Sequence, residues 1–384
     1  MRFDFATATR IIFGQGTLQD VAPRAQQIGR RAFVIAGRKV ERAAPLLDQL
    51  NKQGIESTIY SVPGEPTTSV VSTGVQRARK ARPDLVIGIG GGSVLDTGKV
   101  IAALLTNRGK VEDYLEVIGG GQQIVSAPAP YMAIPTTAGT GAETTSNAVL
   151  TSPPYRVKVS MRSPLMLPHI AVVDPELTYS MPPALTASTG LDAVTQLIEA
   201  YVSNNANPLT DGICREGLRR AARSLGRAYE DGTNVAARED MSVASLFSGL
   251  ALANTRLGAV HGFAAPIGGM FAAPHGVVCA RLLPYVMEAN VKAMQIRAPN
   301  SPALARYDEL AGALTGSPTA RAAEGITWIH NLCETMNIPP LAEFGLKKKE
   351  LPSVVVKSKR SSSMKGNPIE LTDRELTQIL KKAL

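Results

Sequence analysis

Short apolar runs alternate with amphipathic segments over the first half of the chain. The apolar runs predict buried strands, at 31–36, 56–61, 84–89 and 131–135. The segments that follow have apolar residues at helical spacing and predict helices, at 40–53, 69–81 and 94–105. Strands that alternate with helices favour a parallel sheet with helices packed on its faces.

The pattern changes near residue 182, after which strand-like runs nearly vanish. Long helical periodicities follow, at 185–203, 208–229, 238–257, 279–294, 301–314 and 320–336. We therefore expect an α/β domain over residues 1–183 and an all-helical domain over residues 184–384.

The composition is typical of a globular protein, with 384 residues of which 44% are hydrophobic and 19% charged. The sequence has no run of about 18 apolar residues, so we expect no membrane partner. The N-terminus lacks the apolar core of a signal peptide. The three cysteines are widely spaced and odd in number, which favours a reducing cytoplasm, and each is interpreted as a small core residue.

The net charge of +9 comes partly from lysines at 347–349 and from the KSKR segment at 357–360. No aromatic residues are interleaved with them, so we interpret them as a solvated surface and expect no nucleic-acid partner. A basic surface also attracts anionic cofactors or substrates.

Two glycine-rich loops follow predicted strands. The strand at 84–89 leads into Gly90, Gly91, Gly92 and Ser93 and then into a helix, and the strand at 131–135 leads into a loop with Thr136, Thr137, Gly139, Thr140 and Gly141. Glycines let a phosphate approach backbone N–H groups at a helix N-terminus. We expect Ser93 to be the N-cap residue, with Asp96 completing a capping box.

Either loop alone is weak evidence, because tight turns and surface loops have similar compositions. Two such loops at the carboxyl ends of strands in one sheet favour a dinucleotide site.

The segment VHGFAAPIGGMFAAPHG at 260–276 has His261 and His275 near its ends. Small residues between them let imidazoles converge on a metal ion. A third ligand is Asp192, at the start of a helical pattern. One carboxylate and two imidazoles suffice for a catalytic divalent ion.

Several motifs together resemble the iron-containing (group III) alcohol dehydrogenases. They are FGQG at 13–16, GGGSVLDTGK at 90–99, PTTAGTGAETT at 135–145, DPELT at 174–178, TGLDAVTQLIEAY at 189–201 and the histidine segment. The resemblance implies a Rossmann-like dinucleotide-binding domain followed by an all-α domain that binds metal and substrate, the fold shared with dehydroquinate synthase. It also implies hydride transfer between NAD or NADP and a small alcohol or aldehyde, with Fe²⁺ or Zn²⁺, in a homodimer or larger homo-oligomer.

By this resemblance, the first loop binds the pyrophosphate through Gly90, Gly91, Gly92 and Ser93, with Asp96 nearby. Thr136, Thr137 and Thr140 line the cofactor site, and Lys158 lies near the ribose or nicotinamide. Asp192, His261 and His275 match metal ligands and form the catalytic set.

The chain departs from the family pattern at three positions. Gln196 replaces a histidine that usually follows the aspartate by one helical turn. Its amide oxygen can coordinate a metal, but as a neutral and weaker donor. Zinc held by three protein ligands, as in glycerol dehydrogenases, therefore becomes an alternative to iron. Ala265 replaces another histidine, which assists proton relay. Gly37 replaces an aspartate frequent in NAD-preferring members, and with Arg38 beside it we expect NADP(H) to be tolerated.

Alternatives remain open at this point. A metal-independent reductase similar to maleylacetate reductases would suit the altered positions 196 and 265. A nucleotide-binding protein without catalysis belongs to a different class. Dehydroquinate synthase-type cyclases share the fold distantly, but the two loop motifs fit a dehydrogenase better.

Overall fold

The computed structural model describes residues 2–384 and divides into two compact units. One unit is α/β and spans Thr7–Tyr179. The other is helical, spans Ser180–Leu384 and includes the first described residues, up to Ala6.

The α/β unit has eight strands and four α-helices among its described residues. The strands are β1 (Arg10–Phe13), β2 (Arg31–Gly37), β3 (Glu56–Val62), β4 (Leu85–Gly90), β5 (Tyr131–Pro135), β6 (Asn147–Ser152), β7 (Val157–Arg162) and β8 (Ile170–Val173). The helices are α1 (Val21–Ile28), α2 (Ala44–Lys52), α3 (Thr68–Ala81) and α4 (Gly92–Thr106). Six strands form one parallel sheet in the order β1-β8-β5-β4-β2-β3, and β6 pairs with β7 as an antiparallel hairpin.

Alternate residues of the strands supply two separate hydrophobic cores, one on each face of the sheet. Phe33 and Ile35 of β2 pack on one face with residues of α3 and α4. Val34 of β2 packs on the other face with residues of α1 and α2. Both faces are therefore covered, which explains why the central strands are continuously apolar. The predicted Rossmann-like fold class is confirmed.

The α-helices of the helical unit follow one another along the chain, joined by loops and short 3₁₀ turns. They are α5 (Pro183–Val202), α6 (Pro208–Glu230), α7 (Val235–Asn254), α8 (Ala259–Met270), α9 (His275–Arg297), α10 (Pro302–Thr315), α11 (Ala322–Thr335), α12 (Leu351–Lys359) and α13 (Asp373–Ala383). Helix α5 is central: it packs against α6, α7 and α9, and it is buried almost continuously from Thr186 to Val202.

Within residues 2–384, no single helix is long and apolar enough to cross a membrane. Helices α7 and α8 meet that criterion only when they are taken together, and the chain bends by 96° between them.

Candidate metal centre and dinucleotide loops

Three polar residues share one buried face of α5. Asp192, Gln196 and Glu199 follow one another at intervals of four and three residues, which places them along a single stripe of the helix. All three side chains are buried. A buried polar stripe is costly unless each group finds a partner, so the partners of these three groups show what the stripe holds.

The imidazoles of α8 and α9 face Asp192. Nε2 of His261 lies 3.4 Å from Oδ1 of Asp192, and Nε2 of His275 lies 3.7 Å from the same oxygen. Asp192 is only 2% exposed. Its Oδ1 accepts no hydrogen bond from any residue of the described chain. The structure thus brings the three predicted ligands together around a buried carboxylate oxygen.

Glu199 orients His261. Its Oε2 accepts a hydrogen bond from Nδ1 of His261 at 2.7 Å, which makes Nδ1 the protonated nitrogen and leaves the Nε2 lone pair directed at Asp192. The same carboxylate accepts the backbone N–H groups of Val260 and His261 in the first turn of α8. Glu199 therefore caps the helix and sets the imidazole tautomer at once.

Gln196 contacts the site through its amide nitrogen. Nε2 donates to Oδ2 of Asp192 at 3.2 Å, and Oε1 accepts from the Ser248 hydroxyl at 2.9 Å. To act as a metal ligand, Gln196 would have to turn this amide over and give up both contacts. In the arrangement observed, it holds Asp192 in place.

Helix α9 approaches α5 very closely at its first turn. A Cβ atom on Gly276 would lie 2.3 Å from the carbonyl oxygen of Ser188, a distance that no packed atoms tolerate. Glycine at this position therefore lets His275, its neighbour, reach Asp192.

The charges of the cluster favour a cation. Burial alone would raise the pKa of Asp192, but His275 and His261 hold it below its usual value. Burial alone would lower the pKa of His261, yet Cys279, Asp192 and Glu199 raise it well above the usual value. Anionic groups that raise the pKa of a buried imidazole would equally stabilise a divalent ion, which would take the place of the proton at Nε2 of His261.

These residues fit a divalent metal ion. The donor set of one carboxylate oxygen and two imidazole nitrogens is that of catalytic Zn²⁺ or Fe²⁺ sites. The buried oxygen of Asp192 without a hydrogen bond is what a missing ligand–metal bond leaves behind. His275 is the most exposed of the three, with 38% of its side chain accessible.

The two glycine-rich loops of the α/β unit lie side by side. Strands β4 and β5 are parallel neighbours, and the N–H of Thr136 donates to the carbonyl of Gly90 at 3.0 Å. A Cβ atom on Gly92 would lie 3.0 Å from Thr140, and one on Gly91 would lie 3.4 Å from Thr137. The predicted loop residues are thus brought together, and the glycines allow the close packing.

The prediction that Ser93 is the N-cap of α4 is wrong. The N-cap is Gly91, and Ser93 lies inside the first turn of the helix. The predicted capping box with Asp96 is absent as well, since Asp96 accepts instead from Lys99 at 3.1 Å and from the backbone of Val149 at 2.9 Å. Because Gly91 has no side chain to cap the helix, the first N–H groups of α4 remain available to an anion.

The other predicted cofactor residues lie at the edges of this region. Lys158 is on β7, and its ammonium group donates to Glu65 at 2.7 Å. Arg38 is exposed directly after β2. Gly37 lies beside the first turn of α4, since a Cβ atom there would be 3.9 Å from Val94.

Sequence analysis missed two residues of the cluster. Glu199 follows Asp192 by seven residues and Cys279 follows His275 by four, spacings that place each pair on one helix face. The spacing of Glu199 fell within the helix predicted at 185–203 and could have been used, whereas that of Cys279 required knowing that α9 begins at His275.

A parallel sheet with an uncapped helix after a glycine-rich turn, followed in the same chain by a carboxylate–imidazole cluster, is the arrangement expected of a metal-assisted, dinucleotide-dependent oxidoreductase. Comparison with known proteins identifies the family. Residues 8–175 match the sequence model described as Iron-containing alcohol dehydrogenase, and residues 186–384 match that of the C-terminal part of the Fe-containing alcohol dehydrogenase family.

Characterised relatives match over nearly the full chain. Alcohol dehydrogenase 4 of Saccharomyces cerevisiae (strain YJM789) is 34% identical over 380 residues, which cover 97% of this chain and 96% of the relative. The 1,3-propanediol dehydrogenase of Klebsiella pneumoniae is 34% identical over 391 residues, with 99% and 98% covered. The crystal structure of a 1,3-propanediol oxidoreductase superposes with a TM-score of 0.91 at 32% identity and covers 100% of both chains.

The chain belongs to the iron-containing alcohol dehydrogenase family, as its motifs predicted. It is an oxidoreductase that acts on CH–OH groups.

Proposed function

We propose that the chain interconverts a small alcohol and its aldehyde or ketone, with NAD(H) or NADP(H) as hydride carrier and one divalent metal ion held by Asp192, His261 and His275. The α/β unit (1–183 by sequence) would bind the dinucleotide, and the helical unit (184–384) the metal and substrate. Family membership supports the reaction class. The residue assignments are our own.

The observation that carries the metal assignment is the buried Oδ1 of Asp192, which has no hydrogen bond within residues 2–384 and is faced by two imidazole nitrogens. A divalent ion bound there would supply Lewis-acid polarisation of the substrate oxygen. The chain's own residues hold the geometry: Glu199 fixes the His261 tautomer, and Gln196 holds Asp192. The ionised Asp192 supplies the negative charge that makes the pocket selective for a cation.

For the dinucleotide, we propose that the pyrophosphate lies at the N-terminus of α4, against Gly90, Gly91, Gly92 and Ser93. The support is the uncapped first turn and the close packing of this loop against Thr137 and Thr140. Thr136 would complete the lining. Lys158 is already paired with Glu65, so we assign it the weakest contact to the ribose or nicotinamide.

We further propose a homodimer or larger homo-oligomer in the cytoplasm, with Zn²⁺ rather than Fe²⁺ as the ion. Family resemblance supports the homo-oligomer. The cytoplasm is argued from Cys214, Cys279 and Cys333, all buried and unpaired within the described chain. Gln196 supports zinc, because the iron-dependent members of the family usually have a histidine ligand at this position.

The test is elemental analysis of protein purified without added metal, paired with NADH- and NADPH-linked aldehyde reduction before and after chelation. We expect about one zinc ion per chain, loss of activity on chelation and recovery on metal return, whereas iron in its place would support the metal site and contradict the choice of zinc. The His275→Ala variant should lose both metal and activity.

The alternatives give different results. Activity that survives chelation, with turnover of maleylacetate, would indicate a metal-independent reductase. Binding of NAD(P)H without turnover of any alcohol or aldehyde would indicate a nucleotide-binding protein. Either outcome would overturn the proposal.

A further inference from the structure

A fourth donor atom lies in the metal cluster. Cys279 follows His275 by one turn of α9 and is fully buried. Its Sγ lies 3.7 Å from Nε2 of His261 and 3.7 Å from Nε2 of His275. The donor atoms of Asp192, both histidines and Cys279 all lie within 4.8 Å of one another.

Four of the six separations are close to those of a tetrahedral site. With Zn–S near 2.3 Å and Zn–N and Zn–O near 2.0–2.1 Å, tetrahedral angles place sulfur about 3.6 Å from each nitrogen, and oxygen about 3.3 Å from each nitrogen. The sulfur–nitrogen distances are 3.7 Å, and the oxygen–nitrogen distances are 3.4 and 3.7 Å. These four distances lie within about 0.4 Å of the tetrahedral values, and the two remaining separations, nitrogen to nitrogen and sulfur to oxygen, are at most 4.8 Å.

Gln196 does not supply the fourth metal ligand. Its amide oxygen is engaged by Ser248 and its nitrogen by Asp192, so it presents no acceptor to the cluster. Cys279 reaches the same cluster from α9, a different helix. The chain thus lacks the usual histidine on α5 and has a thiol on α9 within ligand distance.

We propose that the Cys279 thiolate is the fourth protein ligand of the metal and makes the site select Zn²⁺ over harder divalent ions. The proposal rests on the metal site proposed above, and the substrate oxygen would then bind as a fifth ligand. On binding, the S–H bond is replaced by an S–metal bond and the proton passes to solvent, with no change in oxidation state. Soft thiolate ligands favour zinc, whereas ions such as Mn²⁺ prefer oxygen ligands.

Two measurements on the unmodified protein test the ligand directly. X-ray absorption at the zinc edge should show one sulfur near ~2.3 Å besides nitrogen and oxygen ligands at ~2.0–2.1 Å. Replacement of zinc by Co²⁺ should give the d–d bands of a four-coordinate ion and a sulfur-to-cobalt charge-transfer band in the near ultraviolet. Neither readout depends on activity or on the folding of a variant.

Variants then assign the sulfur. Cys279→Ser should keep the d–d bands and lose the charge-transfer band. It should also bind Zn²⁺ at least about tenfold more weakly, because losing a residue that only supports a metal ligand already weakens binding by about 10–100-fold. Its affinity for Mn²⁺ should change far less. Cys214→Ser is the matched control, because Cys214 is an equally buried thiol on α6, outside the cluster. It should match the parent in every readout.

The outcomes separate this inference from the proposed function. Bound cobalt with no sulfur band in the parent, or the same band in Cys279→Ser, would overturn the ligand role of Cys279 and leave the Asp–His–His site intact. Failure of the parent to bind zinc or cobalt at all would overturn the proposed metal site, and this inference with it.

Discussion

The carboxylate of Glu199 accepts hydrogen bonds from Nδ1 of His261 at 2.7 Å and from the backbone N–H of Val260. One buried group therefore completes the N-terminus of α8 and aims the imidazole that α8 carries. The position of the proposed metal ligand and the start of its helix depend on the same side chain.

Glu199→Gln should weaken metal binding by about 10–100-fold, because glutamine has one acceptor oxygen for donors that now share two. A competition titration with a chromophoric chelator measures this. Glu375→Gln is the control, since Glu375 also accepts a backbone N–H, from Thr372, but caps α13 away from any imidazole. Equal zinc affinity in Glu199→Gln and the parent would contradict the positioning role.

Gly276→Ala should cost about 1–3 kcal/mol of unfolding free energy, because its Cβ would overlap the Ser188 carbonyl and push α9 away from α5. Metal affinity should fall with it. On α6, Gly212→Ala is the matched control: a Cβ there meets no described atom of another element within 4 Å, so it should gain about 0.5–1 kcal/mol. Urea unfolding measures both, and a neutral Gly276→Ala would show that the helices can separate freely.

Glu143 should make stability depend on pH. Burial raises its pKa from 4.5 to about 7, so the folded chain holds a proton that the unfolded chain has lost between these values. Stability therefore falls as the pH rises through this window, by about 3 kcal/mol in total, and is unaffected below it. Glu143→Gln should be more stable than the parent at pH 8 but not at pH 4, as measured by urea unfolding. The same difference at both values would refute the prediction.

Gly37→Asp should raise the KM for NADPH at least about tenfold and leave that for NADH nearly unchanged, because a carboxylate beside the first turn of α4 would repel a 2′-phosphate by 1.4 kcal/mol or more. The position has room for the side chain and ordinary backbone geometry. Arg38→Ala should act in the same direction. If neither variant changes the ratio of the two KM values, the 2′-phosphate lies elsewhere.

Strongly patterned elements could be predicted from the sequence, and β5 shows why. Its five residues form a continuous apolar run between Pro130 and the polar pair at 136–137, and the predicted bounds match the observed Tyr131–Pro135. The four-residue strands β1 and β8 were missed because so short a run carries little pattern.

Helix α8 was missed for a different reason. Its sequence contains Pro266 and three glycines, a composition that opposes a helix locally. Its first N–H groups are satisfied by Glu199 and Asn367, which are 61 and 108 residues away from their donors in the chain. Contacts between residues so far apart in the chain cannot be predicted from local sequence patterns. The motifs predicted that Asp192 and the two histidines converge, but they did not predict the residues that support them.

All four donor atoms of the cluster come from helices of one unit, α5, α8 and α9. An ion held there would act as a cross-link between three segments that are far apart in sequence. Because none of these donors comes from the α/β unit, binding of the ion would not require the dinucleotide.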